Sequence, residues 1–348
     1  MEELSLSNEK NLEEQENASP LDTIIDVVTD SSLPAPIKKN LFKAVNQLCT
    51  SAIEVPIAYL EGITAEKRAE TKARITLIEK SANEIASQME FDPEYAKSAV
   101  QKFGQRIIKE QINLDRITSK AVDEIESEEE ENSDVNASEK EINDDWLNTF
   151  EKEASQKSTN EMQEMFAKIL AGEIRSPESY SIRTLKLLGE LDSSVANLFA
   201  KFCSCCMVLQ VPIQGSNSKH IIDARVCSLG GNAGNNILKD YGFSFDQLNI
   251  LNEYGLIISD YNSQMGYELA VTNEQPILPF DLSRRKWVLE PTQDFESKIE
   301  VKISGVQLSR AGKELYPIID ISPNDKYRDA LSAYFSSIKL KMVLVGDK

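Results

Sequence analysis

Apolar positions in the first third of the chain recur at helical spacing. Leu21, Ile24, Ile25 and Val28 fall at i, i+3, i+4 and i+7 behind Ser19-Pro20, a helix start. Pro34 and Pro36 interrupt, and Ile37, Leu41, Ala44, Val45 and Leu48 resume the pattern. Good helix formers dominate from Thr64 to Met89. There Ile75, Ile78, Ala82, Ile85 and Met89 form a short coiled-coil-like seam. Asp92-Pro93 caps a further helix through Tyr95, Ala99, Phe103, Ile107, Leu114, Ile117 and Ala121. Its face is polar enough to predict a hairpin partner rather than a deep core.

Shorter helices follow. Trp146, Phe150 and Ala154 share one face, and Met162, Met165, Phe166, Ile169 and Leu170 make the next stripe. Ser176-Pro177 ends that helix. Ser181 is placed to cap Leu185, Leu188 and Leu191, and Asp192 to cap Val195, Leu198, Phe199 and Phe202. Beyond residue 203 the pattern is mixed. MVLQVPI and HIIDARVCSL read as a hairpin around Gly215-Ser216-Asn217. Ser244 caps a helix with Phe245, Leu248, Ile250 and Leu251, which Gly255 ends. Leu256-Ile257-Ile258 and Tyr267–Val271 then read as wing strands, ahead of a strand over 299–308 and LSRAGKEL. The expected fold is mainly α with a C-terminal α+β part: a helical bundle followed by a winged-helix-like domain. A closing helix at Tyr327–Ile338 and a strand at Lys339–Val345 have no assigned partner.

Charge sharpens the division. The net charge is −19 over 348 residues. Residues 1–20 carry −5 and residues 123–145 carry −11, which leaves the rest nearly neutral. The expected order is a disordered acidic tail (1–20), a long-helix bundle or oligomerisation region (21–122), an acidic linker (123–145), a compact helical module (146–202) and the winged-helix-like domain (203–348). No apolar run reaches the length of a membrane span. Five cysteines, an odd number, make no disulfide framework, and the first residues lack a secretory pattern, so the expected location is the cytoplasm.

The string from Trp146 through MQEMFAKILAGEIRSPESYSIRTLKLLGELDSSVANLF resembles a bacterial family known only as a domain of unknown function. VPIAYLEG and EQINLDRITSKA fit the same family, so the resemblance covers most of residues 21–320. The central helices are more loosely similar to alpha-type abortive-infection proteins. That likeness implies a prokaryotic cytosolic protein encoded among anti-phage genes, and it implies no chemistry.

Candidate polar groups are few. Glu173, Arg175, Ser181 and Arg183 surround the Ser176-Pro177 turn. Arg183 is expected to clamp Glu173 as a structural pair, with an anion contact as the functional alternative. Arg284, Arg285 and Lys286, beside Trp287, are the nucleic-acid candidates. The expected recognition helix, FDQLNILNEYG, holds no Lys or Arg, so its charge favours a protein contact over DNA. Cys203, Cys206, His220 and Cys227 are weak zinc candidates, because one CxxC without a second is a poor signal. No metal or other cofactor is expected. The expectation is a non-enzymatic, homo-oligomeric interaction protein of anti-phage defence with a protein partner of unknown identity. The alternative is a winged-helix DNA-binding regulator, and an enzyme built on Glu173 and Arg183 ranks last.

Overall fold

The computed structural model describes residues 33–49, 93–131, 138–212, 219–232, 234–261, 263–268, 270–272, 275–292 and 300–345. The acidic tail, the helix at 21–28, the seam at 75–89 and the turn at 215–217 lie outside the described residues. The chain divides into two compact units, one through Ile182 and one from Arg183. That division falls inside the stretch 146–202 expected to fold as one module.

The first unit is helical, with α1 (Ala35–Leu48), α2 (Pro93–Glu131), α3 (Asp144–Ala154) and α4 (Asn160–Arg175). The spacing predicted the core positions of α1, α3 and α4: Ile37, Leu41, Val45, Trp146, Phe150, Phe166, Ile169 and Leu170 are buried. For α2 the expectation of a helix without a deep core is corrected, because Leu114, Ile117 and Ala121 are buried, while Phe103 and Ile107 of the same stripe are exposed. The Trp146 ring stacks on Phe150 at 5.3 Å, and Phe150 meets Phe166 edge-on at 5.7 Å. Asn143 caps α3, accepting from the amides of Asp145 (2.8 Å) and Trp146 (3.3 Å). The acidic stretch is not a single extended linker. Residues 123–131 prolong α2, since Glu is a good helix former and no breaker intervenes, and Ile125 is fully buried. Further on, the Ile142 amide donates to Asn40 Oδ1 (3.1 Å), while Asn40 Nδ2 donates to the carbonyls of Lys140 (3.0 Å) and Ile174 (3.2 Å). A buried asparagine on α1 thus fixes residues 140–142 and the end of α4.

The second unit opens with α5 (Ile182–Glu190) and α6 (Ser193–Ser204). Strands β1 (Met207–Pro212) and β2 (Lys219–Cys227) form the expected hairpin. A 3-10 turn (Ile237–Tyr241), α7 (Phe245–Glu253), β3 (Ile257–Ile258), β4 (Gln264–Glu268), β5 (Ala270–Thr272), β6 (Gln275–Leu282), β7 (Arg285–Pro291), β8 (Glu300–Leu308), α8 (Arg310–Leu315), α9 (Asp325–Ser337) and β9 (Leu340–Leu344) follow. The nine strands make one antiparallel sheet in the order β3-β8-β2-β1-β6-β7-β9, with β4 also on β8 and β5 also on β6.

This sheet overturns the winged-helix expectation, and with it the premise of a winged-helix DNA-binding regulator. The helix, the short strands and LSRAGKEL exist where expected, but β3 and β4 are not a free wing. They lie in tandem along one edge of β8, through Ile257↔Leu308 and Gln264↔Ser304, while β2 occupies its other edge through Val226↔Val306. Strand β9 pairs with β7 from Trp287↔Leu344 to Pro291↔Leu340. Hydrophobic alternation specifies a strand but not its partner, so the same local pattern serves a small wing or a broad sheet.

Candidate functional site

Glu173 is buried near the C-terminus of α4. Its carboxylate accepts from the backbone amides of Glu178 (2.7 Å) and Tyr180 (3.1 Å). No guanidinium clamps it; the acid closes the turn that follows its own helix. The carbonyl of Tyr180 accepts from Trp146 Nε1 (2.7 Å). The Tyr180 ring lies over Gly172, where a Cβ would come within 2.8 Å of it. Arg175 donates to the carbonyls of Glu124 (2.7 Å) and Ile125 (3.1 Å), tying α4 to α2. Trp146, Gly172, Glu173, Arg175 and Tyr180 therefore form one structural knot.

Burial pushes the Glu173 pKa up to about 7, against the pull of the amides it accepts from. The folded state then holds a proton that the unfolded chain releases near 4.5. Its contribution is fully present below that pH and is lost as pH rises toward 7. Wild-type stability is expected to fall by roughly 2–4 kcal/mol relative to Glu173→Gln between these limits. Urea midpoints of both proteins at several pH values check this; parallel pH profiles would refute it.

Ser181 directly precedes α5, and Arg183 stands in its first turn. Arg183, Lys186, Leu187 and Glu190 of α5 line an open cleft of about 460 Å³ together with Glu253 and Tyr254 at the end of α7. The Arg183 guanidinium lies against Gly255, 3.0 Å from where a Cβ would stand. Tyr254 OH donates to Asp192 Oδ2 (3.2 Å), while Asp192 Oδ1 accepts from the α6 amides of Ser194 (2.8 Å) and Val195 (2.9 Å). These bonds hold the Asp192 carboxyl below the usual range. Two cations face two carboxylates, so the cleft has no net charge with which to concentrate an anion.

Arg284 has a fold role that its sequence context concealed. Ser283 and Arg284, both left-handed (φ 50° and 63°), make the two-residue turn between β6 and β7. Ser283 Oγ donates to the Ser204 carbonyl (2.7 Å). Arg284 stacks on Tyr316, 4.7 Å to the ring centroid, and donates to the carbonyls of Tyr316 (2.7 Å), Pro317 (3.0 Å) and Ile319 (3.1 Å). Only Arg285 and Lys286 of the basic trio are left exposed without such a task. Arg284→Ala is expected to cost about 1–3 kcal/mol through lost charged hydrogen bonds. A thermal scan checks this, and an unchanged midpoint contradicts the clasp.

The cysteines and the histidine do not assemble. Cys203, Cys206 and Cys227 are buried, whereas His220 is exposed near the far end of β2. Seven residues of extended strand put it about 23 Å from Cys227. Among the described residues no group of three or more His, Cys, Asp or Glu side chains is arranged to hold a metal. Burial pushes the Cys205 and Cys227 thiols up to about 12, and raises Cys203 and Cys206 as well. All four are protonated at neutral pH, the form least suited to nucleophilic attack or metal ligation.

Sequence reasoning passed over the most buried charges. Asp223 and Arg225 stand two apart on β2, hence on one face, and both are almost fully buried. Arg225 Nε donates to Asp223 Oδ2 (2.5 Å) and Nη2 to Oδ1 (3.2 Å). Its Nη1 donates to the carbonyls of Ile303 (3.0 Å) and Ser263 (3.2 Å), and Tyr267 OH also donates to Asp223. The cluster ties β2, β4 and β8 together. The available signal was a pair of opposite charges inside IIDARVC, an otherwise apolar strand.

The groups most able to do chemistry thus serve the fold: a helical knot in one unit and a charge-fastened antiparallel sheet in the other. Residues 98–332 match the family model described as "Protein of unknown function (DUF2806)", and the chain belongs to this family. Comparison with curated proteins and with solved structures finds no match. No helix among the described residues is long and apolar enough to cross a membrane.

Proposed function

We propose that this is a non-enzymatic interaction protein that works by presenting an apolar helix face to another protein chain. The observation that carries the reading lies on α2. Phe103 (58% exposed), Ile107 (37%), Ile108 (62%) and Ile112 (43%) are large apolar side chains left in solvent within three turns of one helix. Clustered exposure of this kind marks an interaction surface more often than scattered single residues do. Glu173, Arg175 and Arg284, by contrast, are committed to backbone partners.

The process we propose is anti-phage defence of the abortive-infection kind, supported by the likeness of the central helices to those proteins. Bacteria producing the chain are expected to plate phage at least tenfold less efficiently than bacteria lacking it. Ile107→Lys with Ile108→Lys is expected to abolish this protection, and Arg183→Ala with Lys186→Ala to leave it intact. Equal plating with and without the chain removes the defence assignment. Loss of protection only in the cleft variant removes the helix-face reading.

A further inference from the structure

We propose that the cleft between α5 and the end of α7 binds a short linear dipolar ion, its carboxylate held by Arg183 and Lys186 and its ammonium by Glu190 and Glu253. A free peptide of two or three residues has this chemistry and this span. The ligand is a small molecule, so the inference is independent of the protein contact read on α2.

The four charged side chains line the cleft together with Leu187 and Tyr254. Arg183, Lys186, Glu190 and Glu253 are all exposed. Among the described residues none of these four side chains makes a hydrogen bond or an ion pair. Lys186 and Glu190 are four apart on α5, but the cation precedes the acid, which is the weaker order for a helical pair.

The charges also stand at the wrong ends of their helices. A helix N-terminus favours negative charge and a C-terminus favours positive charge. Arg183 is in the first turn of α5, and Glu190 is the last residue of the same helix. Glu253 is the last residue of α7, whose last turn holds no basic residue. Each placement works against its helix dipole, and local rules are broken in this way at functional sites. A dipolar ligand turns the conflict into agreement. The N-terminus of α5 and its two cations act together on an anion. Two helix C-termini and their two carboxylates act together on a cation. Tyr254 marks this acidic pole. Its phenol is raised by Asp192 first and, to a smaller extent, by Glu190 and Glu253, so both carboxylates lie near it.

The helix sets the span. Residues 183 and 190 are about 10 Å apart along α5, and residues 186 and 190 about 6 Å. An extended peptide of two or three residues reaches about 7–10 Å between its ends. The two charges of free glycine sit on one carbon and cannot reach both poles. The cleft volume of about 460 Å³ falls within the range of small-molecule sites.

Saturation-transfer NMR on the full chain at low ionic strength tests this, with triglycine as the probe. The expected result is saturable binding with a Kd in the millimolar range. N-acetyl-triglycine, triglycine amide and glycine are each expected to bind about tenfold more weakly, as the loss of two exposed ion pairs requires. Arg183→Ala with Lys186→Ala is expected to remove the preference for triglycine over its amide and to keep the preference over the acetylated peptide. Glu190→Gln with Glu253→Gln is expected to do the reverse. The second variant is also expected to raise the thermal midpoint, because it removes two carboxylates from helix C-termini, so its effect on binding cannot come from misfolding. No saturable binding of triglycine overturns the proposal, as does equal binding of the two capped peptides. Equal binding of glycine overturns the span. Binding unchanged in both variants places the ligand elsewhere and overturns the site. A lowered midpoint in the Glu190 and Glu253 variant makes the two acids structural and overturns the open acidic pole.

Discussion

Gly305→Ala is expected to unfold the second unit under mild conditions, at a cost of about 3–5 kcal/mol. Gly305 has φ 154°, and a Cβ there would come within 2.0 Å of the Val226 carbonyl oxygen and 3.0 Å of the Cys227 Cα. Those are backbone atoms of β2, the strand paired with β8 at Cys227↔Gly305, so no side-chain rotation relieves the clash. The Gly305 amide also donates to the carbonyl of Ser263 (2.9 Å), just before β4. One residue thus joins β2, β8 and the approach to β4, and moving it disturbs both edges of β8. Urea unfolding followed by far-ultraviolet circular dichroism checks this. A midpoint within error of wild type would show that β8 does not approach β2 this closely.

Asp223→Ala is expected to cost about 3–5 kcal/mol, because it leaves the Arg225 guanidinium charged and buried without its carboxylate. The carbonyls of Ile303 and Ser263 satisfy Nη1, but Nε and Nη2 lose their acceptor, and Tyr267 OH loses its partner. Replacing both charges, Asp223→Val with Arg225→Met, is expected to restore most of the loss, since two desolvated charges leave together. Equilibrium unfolding of the single and double variants forms the test. If the double variant is as unstable as the single one, the pair is not the source of the loss.

The sequence showed elements better than it showed partners. Trp146, Phe150 and Ala154, the MFAKIL stripe and the Asp192 cap produced α3, α4 and α6 because helix signals are local, repeating every three or four residues. The hairpin of β1 and β2 was legible for the same reason. The pairing of β8 with β2 was not. Val226 and Val306 are eighty residues apart, and alternation in one strand carries no address for the other. This is why α7, β3 and LSRAGKEL read as a winged helix when they are parts of a nine-stranded sheet. The acidic stretch misled for a different reason: net charge was read as lack of structure, while Glu propensity and Ile125 continued the helix through Glu131.

Among the candidate residues, type was legible and role was not. Arg284 looks like a free cation in RRKW, and nothing in that string reveals a left-handed turn or three carbonyls to receive a guanidinium. Glu173 and Arg183 looked like one pair at ten residues' separation, but Glu173 takes backbone amides and Arg183 lines a cleft in the second unit. The face on α2 was half visible. The spacing places Phe103 and Ile107 on one apolar stripe with Leu114, but only the structure shows that the first two are exposed and Leu114 is buried.

The central claim is that α2, rather than a polar cleft, is the working surface. Photo-crosslinking in living cells tests it most directly, with the crosslinker placed at position 108 in one strain and at position 186 in another. The account predicts an adduct from position 108 and none from position 186. An adduct from position 186 with none from position 108 would contradict it.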